Sequence, residues 1–253
     1  MTILIPSMGR CGSTALFYAI RPIQASGRAV YIIDGDTHIS KWVEQSGRLD
    51  HDQNTLPLLV PYLGGTVIDV GAFIGDHTEF YCQHSGTVYA FEPNPLAFEC
   101  LHRNMEEHNN VRCFRVALGA ASGSASIVEN ANAGMATLVD GTDVPVVTLD
   151  SMNLSDVSFI KIDAEGWECD VLEGARETIA RCRPTMLIEV NESALKGRGR
   201  SPAELITKIE GMRYSLRNVY PGQKMSGPQY DALCHPLVYA KANTSPKQSH
   251  DHE

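Results

Sequence analysis

No stretch of this chain holds the roughly 20 consecutive apolar residues that a membrane-spanning helix needs, so no membrane partner is expected. Basic charge is also scarce: 21 Lys and Arg stand against 30 Asp and Glu, a net charge of -9. So acidic a chain is a poor general partner for nucleic-acid phosphates or an anionic lipid surface, and the expected partner is a small molecule. The seven cysteines include no Cys-x-x-Cys pair. Neither a zinc knuckle nor a disulfide framework is expected; the thiols read as small buried hydrophobes in a reducing compartment, and the expected location is cytoplasmic. No secretory leader is expected at the N-terminus, because Pro6, Arg10 and several glycines interrupt any apolar run. Internal repeats are absent.

What the chain does have is 253 residues that are 43% hydrophobic, enough for one large core or a core with a small appendage. Apolar runs bounded by turn residues alternate with amphipathic stretches, the pattern of an α/β fold with a parallel sheet covered on both faces. The predicted strands are Thr66 to Gly71, Thr87 to Pro93, Val111 to Leu118, Ser158 to Gly166 and Thr185 to Asn191. Predicted helices run over Asp76 to His84, Pro95 to His108, Val171 to Arg181, and from Pro202 to about Met212 behind a capping box at Ser201. YSLRNVY (Tyr214 to Tyr220) and PLVYAK (Pro236 to Lys241) are expected to close the sheet as an antiparallel edge pair. Residues 1–52 read as an N-terminal extension or cap, with RAVYIID its clearest strand. Residues 53–241 read as the main domain and 242–253 as a disordered polar tail. A homo-oligomer stays open.

The chemistry begins in IDVGAFIG, where Asp69, Gly71 and Gly75 end a strand in D-x-G-x-x-x-G. Such glycines allow a tight turn and close backbone approach to a ligand. Glu92 ends the next strand, where a carboxylate can accept both hydroxyls of a ribose. The pair points to a nucleoside cofactor. The loop lacks the G-x-G-x-x-G that brings backbone against a pyrophosphate, and its wider spacing suits S-adenosylmethionine better than a dinucleotide.

IDVGAFIGDHT, VYAFEPNP, VALG, VPVVTLDSM, FIKIDAEGWECDVLEGA and MLIEVNE, in this order, resemble the FkbM family of class I methyltransferases over roughly Asp36 to Asn191. The resemblance implies a Rossmann-like, seven-stranded, mostly parallel sheet whose last strand is antiparallel, with helices on both faces. It also implies transfer of a methyl group from S-adenosylmethionine to a hydroxyl of a sugar or natural product. Carried over by position, Gly71, Ala72 and Gly75 would wrap the methionine end and Asp69 would lie beneath it. Thr78 would cap the first helix, Glu92 would hold the ribose, and Val116 and Ala117 would meet the adenine edge.

KIDAEG falls at the carboxyl end of the fourth strand, the edge at which such sheets bind ligands. Strand alternation puts Lys161, Asp163 and Glu165 on one face. Asp163 or Glu165 could remove the acceptor proton, with Lys161 orienting them and Glu189 a further candidate; Asp163 is the first choice. Asp163, Glu189 and Asn191 also form an oxygen donor set compatible with magnesium, a reading not favoured over a metal-free site. His38, His51 and His77 read as surface or helix-end histidines ahead of catalytic bases, and NANAGMATLV as a substrate-facing loop.

The opening IPSMGRCGSTALFYAI resembles the phosphate loop of sulfotransferases, a strand running through a glycine loop into a helix. It lacks the lysine of an ATP-type loop, and no second half of a sulfotransferase follows. The stretch is therefore expected to be a strand and helix packed on the core or a remnant, with Arg10, Ser13 and Thr14 meeting an anionic group of the acceptor as a further option. The competing functions are a nucleotide- or PAPS-binding sulfotransferase-like protein and a non-catalytic homologue that binds S-adenosylmethionine.

Overall fold

The computed structural model describes residues 3–5, 18–128 and 137–237. The phosphate-loop-like residues 6–17, the first seven residues of NANAGMATLV and the polar tail lie outside the described residues. The chain opens with an antiparallel sheet of β1 (Ile3–Ile5), β2 (Tyr18–Ala25) and β3 (Arg28–Ile33). Tyr18, Ala19 and Ile20 thus belong to a strand where the sequence predicts the end of a helix. Ser26 and Gly27 join β2 to β3 with φ of 52° and 76°, the conformation that matches the twist of a two-residue hairpin. Pro22 sits in β2 beyond the three residues paired with β1, so its missing N–H breaks no ladder bond there. Helix α1 (Ile39–Ser46) ends on left-handed Gly47, and a short α2 (Leu56–Leu59) leads to the main sheet.

There β4 (Thr66–Val70), α3 (Thr78–His84), β5 (Thr87–Phe91), α4 (Pro95–Asn104) and β6 (Val111–Phe114) follow in turn. All five residues of β4 are buried, as a central strand covered on both faces requires. Asn94 caps α4 by accepting from the N–H groups of Leu96 and Ala97, with Pro95 at the first helical position. The chain then leaves the sheet for β7 (Ala117–Leu118), β8 (Gly123–Val128), β9 (Thr137–Asp140) and β10 (Val144–Val147), a four-stranded sheet ordered β7-β10-β8-β9. It returns as β11 (Val157–Ile162), α5 (Glu168–Glu173), α6 (Arg176–Cys182), β12 (Thr185–Asn191), α7 (Glu192–Gly197), α8 (Pro202–Gly211), β13 (Tyr214–Asn218) and β14 (Gln229–Pro236).

The main sheet is ordered β13-β14-β12-β11-β4-β5-β6, with β14 alone antiparallel to its neighbours. The expected α/β, seven-stranded class I methyltransferase fold is therefore present. One apolar core joins the sheet to α5, α6 and α8; a second joins it through α4 to β2, β3 and α1, so the N-terminal extension is packed on the main domain. Among the described residues no helix is long and apolar enough to cross a membrane.

Four expectations need correction. The run Val111 to Leu118 is two strands in two different sheets, because the chain turns away after Phe114. The helix expected over Val171 to Arg181 is broken at Gly174. A Cβ there would lie 2.0 Å from the Gly119 carbonyl oxygen, and the second half has its own cap, the Asp150 carboxylate accepting from the N–H groups of Glu177 and Thr178 at 3.0 and 2.7 Å. The last strand is Gln229–Pro236 and not Pro236 to Lys241; it forms the expected antiparallel edge pair with β13 and lies between β13 and β12. The described residues of NANAGMATLV, Thr137 to Val139, belong to strand β9 and not to a loop; the small, mixed side chains of β8 and β9 (SASIV, TLVD) leave little periodic signal.

Candidate active site

The parallel strands β4, β5, β11 and β12 end on one edge of the sheet, and a cavity of about 520 Å³ opens there. Its walls come from the loop after β4 (Gly71, Phe73, Asp76, His77), from Glu92, from Val116, Ala117 and Leu118, from Lys161, Asp163 and Glu165, from Glu189 and Asn191, and from Gln229 and Asp231 of β14. His38, His51 and Asp52 of the N-terminal region and Leu138 of the small sheet complete it.

Gly71 starts the loop with φ of 75°, and its N–H and that of Ala72 both donate to the Phe91 carbonyl, at 3.0 and 3.1 Å. A side chain at 71 would meet Asp163: an added Cβ lies 1.8 Å from the Asp163 carbonyl oxygen. The loop then folds over the end of β5, where Glu92 Oε2 accepts from Phe73 N–H at 2.9 Å and Oε1 from Asn94 N–H at 2.8 Å. Each carboxylate oxygen keeps a lone pair for a ligand. Burial pushes the Glu92 carboxyl up to about 7, against the pull of those two amides.

Behind the wall lies a buried charge pair. Asp69 is fully buried; its Oδ2 accepts from the Thr78 hydroxyl at 2.6 Å, and its Oδ1 has no hydrogen bond, only Lys161 Nζ at 3.6 Å. Lys161 also donates to the Gly71 carbonyl at 2.8 Å and lies 3.4 Å from Asp163 Oδ2. Burial alone would depress its ammonium, but the carboxylates of Asp163, Asp69, Asp76 and Glu189 outweigh that and hold it above its usual range. Lys161 thus ties both loops of the site to one positive charge.

In front of it a group of carboxylates crowds together: one oxygen each from Asp163, Glu165 and Glu189 lie within 4.8 Å of one another. Burial, then Asp163 and Glu168, raise Glu165 to about 7; burial, then Asp163 and Glu165, raise Glu189 to about 9. Burial and Asp163 lift Asp231 to about 6. A carboxyl raised in the folded state binds more protons there than in the unfolded chain, so it costs stability as pH climbs from its unfolded pKa through its folded one. Glu189→Gln, which keeps an oxygen for the 2.6 Å bond from Gln229 Nε2, is therefore expected to raise the melting temperature at pH 8. The gain should disappear near pH 4.5; an equal shift at both values would show that charge is not its source.

Eight of the residues singled out in the sequence meet on this wall: Gly71, Glu92, Val116, Ala117, Lys161, Asp163, Glu165 and Glu189. Glu165 arrives by a left-handed turn (φ 48°) after the strand has ended, not by strand alternation. Asp69, Ala72, Gly75 and Thr78 stand behind the wall. Gly75 is pressed against Leu101 of α4 and Met105 at its C-cap, where an added Cβ would lie 3.1 and 3.0 Å from them, and Thr78 is the first residue of α3, its hydroxyl turned to Asp69 and not capping the helix. Asn191 lines the cavity, but its side-chain oxygen caps α7 by accepting from Ser193 and Ala194, both at 3.2 Å, which takes it out of the magnesium donor set read from the sequence.

Sequence reasoning missed Asp76 and Asp231 and set His51 and His77 aside. Asp76 and His77 could have been found, because they follow the glycine loop directly. Asp231 could not, since its strand was placed downstream of it. Burial raises the Asp76 carboxyl and lowers the His51 imidazole from their usual values.

A family model for the methyltransferase FkbM domain matches residues 69–216. A curated relative, hexuronic acid methyltransferase AglP of Haloferax volcanii, is 31% identical over 115 residues, 42% of this chain and 48% of that protein, so the match spans about half of the relative's length. Among solved structures, methyltransferase FkbM from Methylobacillus flagellatus KT is 20% identical with a TM-score of 0.48, covering 68% of this chain and 43% of its own. M. jannaschii TYW2 in complex with AdoMet is 17% identical with a TM-score of 0.43, covering 86% and 87%.

Proposed function

The chain belongs to the FkbM methyltransferase family, and on that premise we propose that it methylates a hydroxyl of a sugar or natural-product small molecule with S-adenosylmethionine as donor. The observation that carries this reading is Glu92: a carboxylate fixed by two amides at the end of the second strand of the site, facing a cavity, with a lone pair free on each oxygen. The cavity, at about 520 Å³, falls within the ~300–1,000 Å³ usual for small-molecule sites. When bound, S-adenosylmethionine supplies a methyl group on a positively charged sulfur. Glu92 would hold its ribose and Val116 and Ala117 its adenine, while the acidic wall favours its positive charge.

Asp163 is the proposed base, taking the acceptor hydroxyl proton while Lys161 holds its carboxylate in place. Glu189, raised to about 9, is protonated at neutral pH and can donate a hydrogen bond to the acceptor. Among the described residues, seven carboxyl groups, on Asp52, Asp76, Glu92, Asp163, Glu165, Glu189 and Asp231, and the ammonium of Lys161 line the cavity.

Calorimetric titration with S-adenosylhomocysteine tests the donor site. Glu92→Ala is expected to weaken binding by about 1–3 kcal/mol, the value of hydrogen bonds to a charged group; unchanged affinity would remove Glu92 from the site. A parallel titration with adenosine 3′,5′-bisphosphate should give no heat, and binding of that nucleotide would make residues 6–17 a functional phosphate loop.

A further inference from the structure

Three metal-type donors on the cavity wall have no partner among the described residues that accounts for them. Asp76 is 8% exposed, its carboxylate enters no hydrogen bond among the described residues, and the His77 imidazole approaches it only to 3.9 Å, at Nε2. His77 Nδ1 is buried with no hydrogen-bond partner. Among the described residues the His51 ring has edge contacts, with Trp42 at 4.9 Å and His38 at 6.0 Å, and no ring hydrogen bond. Burying a carboxylate and an imidazole without partners is costly, and here the three converge, with one ligand atom of each within 4.8 Å of the others. They come from two parts of the chain, the segment after α1 and the loop after β4.

We propose that His51, Asp76 and His77 bind a divalent transition cation. Two imidazoles and one carboxylate form a donor set that suits zinc, cobalt or iron(II) and not magnesium, which takes oxygen ligands. Three protein ligands leave a coordination position open, and the cavity on which all three lie is the one lined by Asp163. The cation could there accept an acceptor oxygen and acidify its hydroxyl; this consequence rests on the proposed methyl transfer, whereas the site itself does not. A second cluster, Glu79, Cys82 and His108, fits less well, because Glu79 is already paired with Arg28 at 2.7 Å and with His108 at 3.1 Å.

The test is titration of the chelator-stripped full chain with cobalt(II), followed by visible absorption and calorimetry in the absence of any methyl donor. One equivalent should bind at micromolar concentration with d–d bands and no thiolate charge-transfer band. His51→Gln and His77→Gln should each weaken binding by more than the ~100-fold that loss of an outer partner reaches. On the wild-type chain, bound zinc should protect these two histidines from diethyl pyrocarbonate, read by mass spectrometry, so the result does not depend on a variant folding. Absence of saturable binding overturns the proposal, as does unchanged affinity in both variants. A thiolate band would move the metal to Cys82, and loss of binding on replacing His250 and His252 would move it to the C-terminal histidines; either result overturns it too. None of these readouts involves methyl transfer, so failure of the metal site and failure of the methyltransferase reading are separately visible.

Discussion

Asp163→Asn is expected to slow methyl transfer by about 10²–10⁴-fold, the usual contribution of a positioned general base, while leaving affinity for S-adenosylhomocysteine nearly unchanged. The backbone of Asp163 is structural: its N–H donates to the Val70 carbonyl at 3.1 Å and its own carbonyl packs on Gly71. Asparagine preserves both. The side chain is the part that reaches the cavity, 35% exposed and 3.4 Å from Lys161. Lys161 keeps Asp69 and the Gly71 carbonyl when that charge is lost, so the loops stay in place and the change falls on turnover instead of binding. Glu165 and Glu189 are raised in part by the Asp163 charge. The variant should therefore titrate them at lower pH, moving any residual pH–rate profile to the acid side. Turnover equal to that of the wild type would end the candidacy of Asp163 as base and turn attention to Glu165, whose value of about 7 also suits proton transfer.

Gly71→Ala should cost about 3–5 kcal/mol of stability, the range of the most damaging single substitutions. Two effects add. At φ of 75° any side chain bears a left-handed penalty of roughly 1–2 kcal/mol, and the new Cβ would stand 1.8 Å from a backbone oxygen that is itself anchored to β4. Neither strand end can move without parting Lys161 from the Gly71 carbonyl. Gly75→Ala is the control. Its φ of 93° is as unfavourable, but its neighbours are the flexible ends of Leu101 and Met105, so the loss should stay near the ~1–3 kcal/mol of local strain. Urea unfolding of the two variants decides between backbone collision and simple φ strain: equal losses would mean that the approach of Asp163 to Gly71 is not what requires glycine.

Where one short segment carries its own instructions, the sequence alone is sufficient. TVIDVG is apolar but for Thr66 and Asp69 and becomes the fully buried β4; Asn94-Pro95 and Ser201-Pro202 cap and start α4 and α8 as read; TMLIEVN becomes β12 residue for residue. The strand-to-glycine transition at Asp69 to Gly75 and the acidic end of the next strand were legible because the turn and the carboxylate follow directly from those residue types. So was the meeting of Lys161, Asp163 and Glu189 at the sheet edge, which parallel strands impose on the residues at their carboxyl ends.

Other features depended on partners distant in the chain, and only the tertiary structure decided them. Strand β14 entered the sheet between β12 and β13 because its buried Ala232, Leu233 and Cys234 pair with residues on both sides, which brings Asp231 to the cavity. Helix α5 gave way to α6 because Gly119 and Asp150 approach from elsewhere. Thr78 turned from capping to Asp69, and Asn191 from the cavity to α7, because each hydroxyl or amide took the nearest unsatisfied group. His51, 25 residues before Asp76 in the sequence, reached it only when the N-terminal extension packed on α4. Propensity, capping and turn chemistry act within a few residues and can be read along the chain. The placing of a buried charge or an unpaired donor depends on which surfaces close over it, and that is known only once the chain is folded.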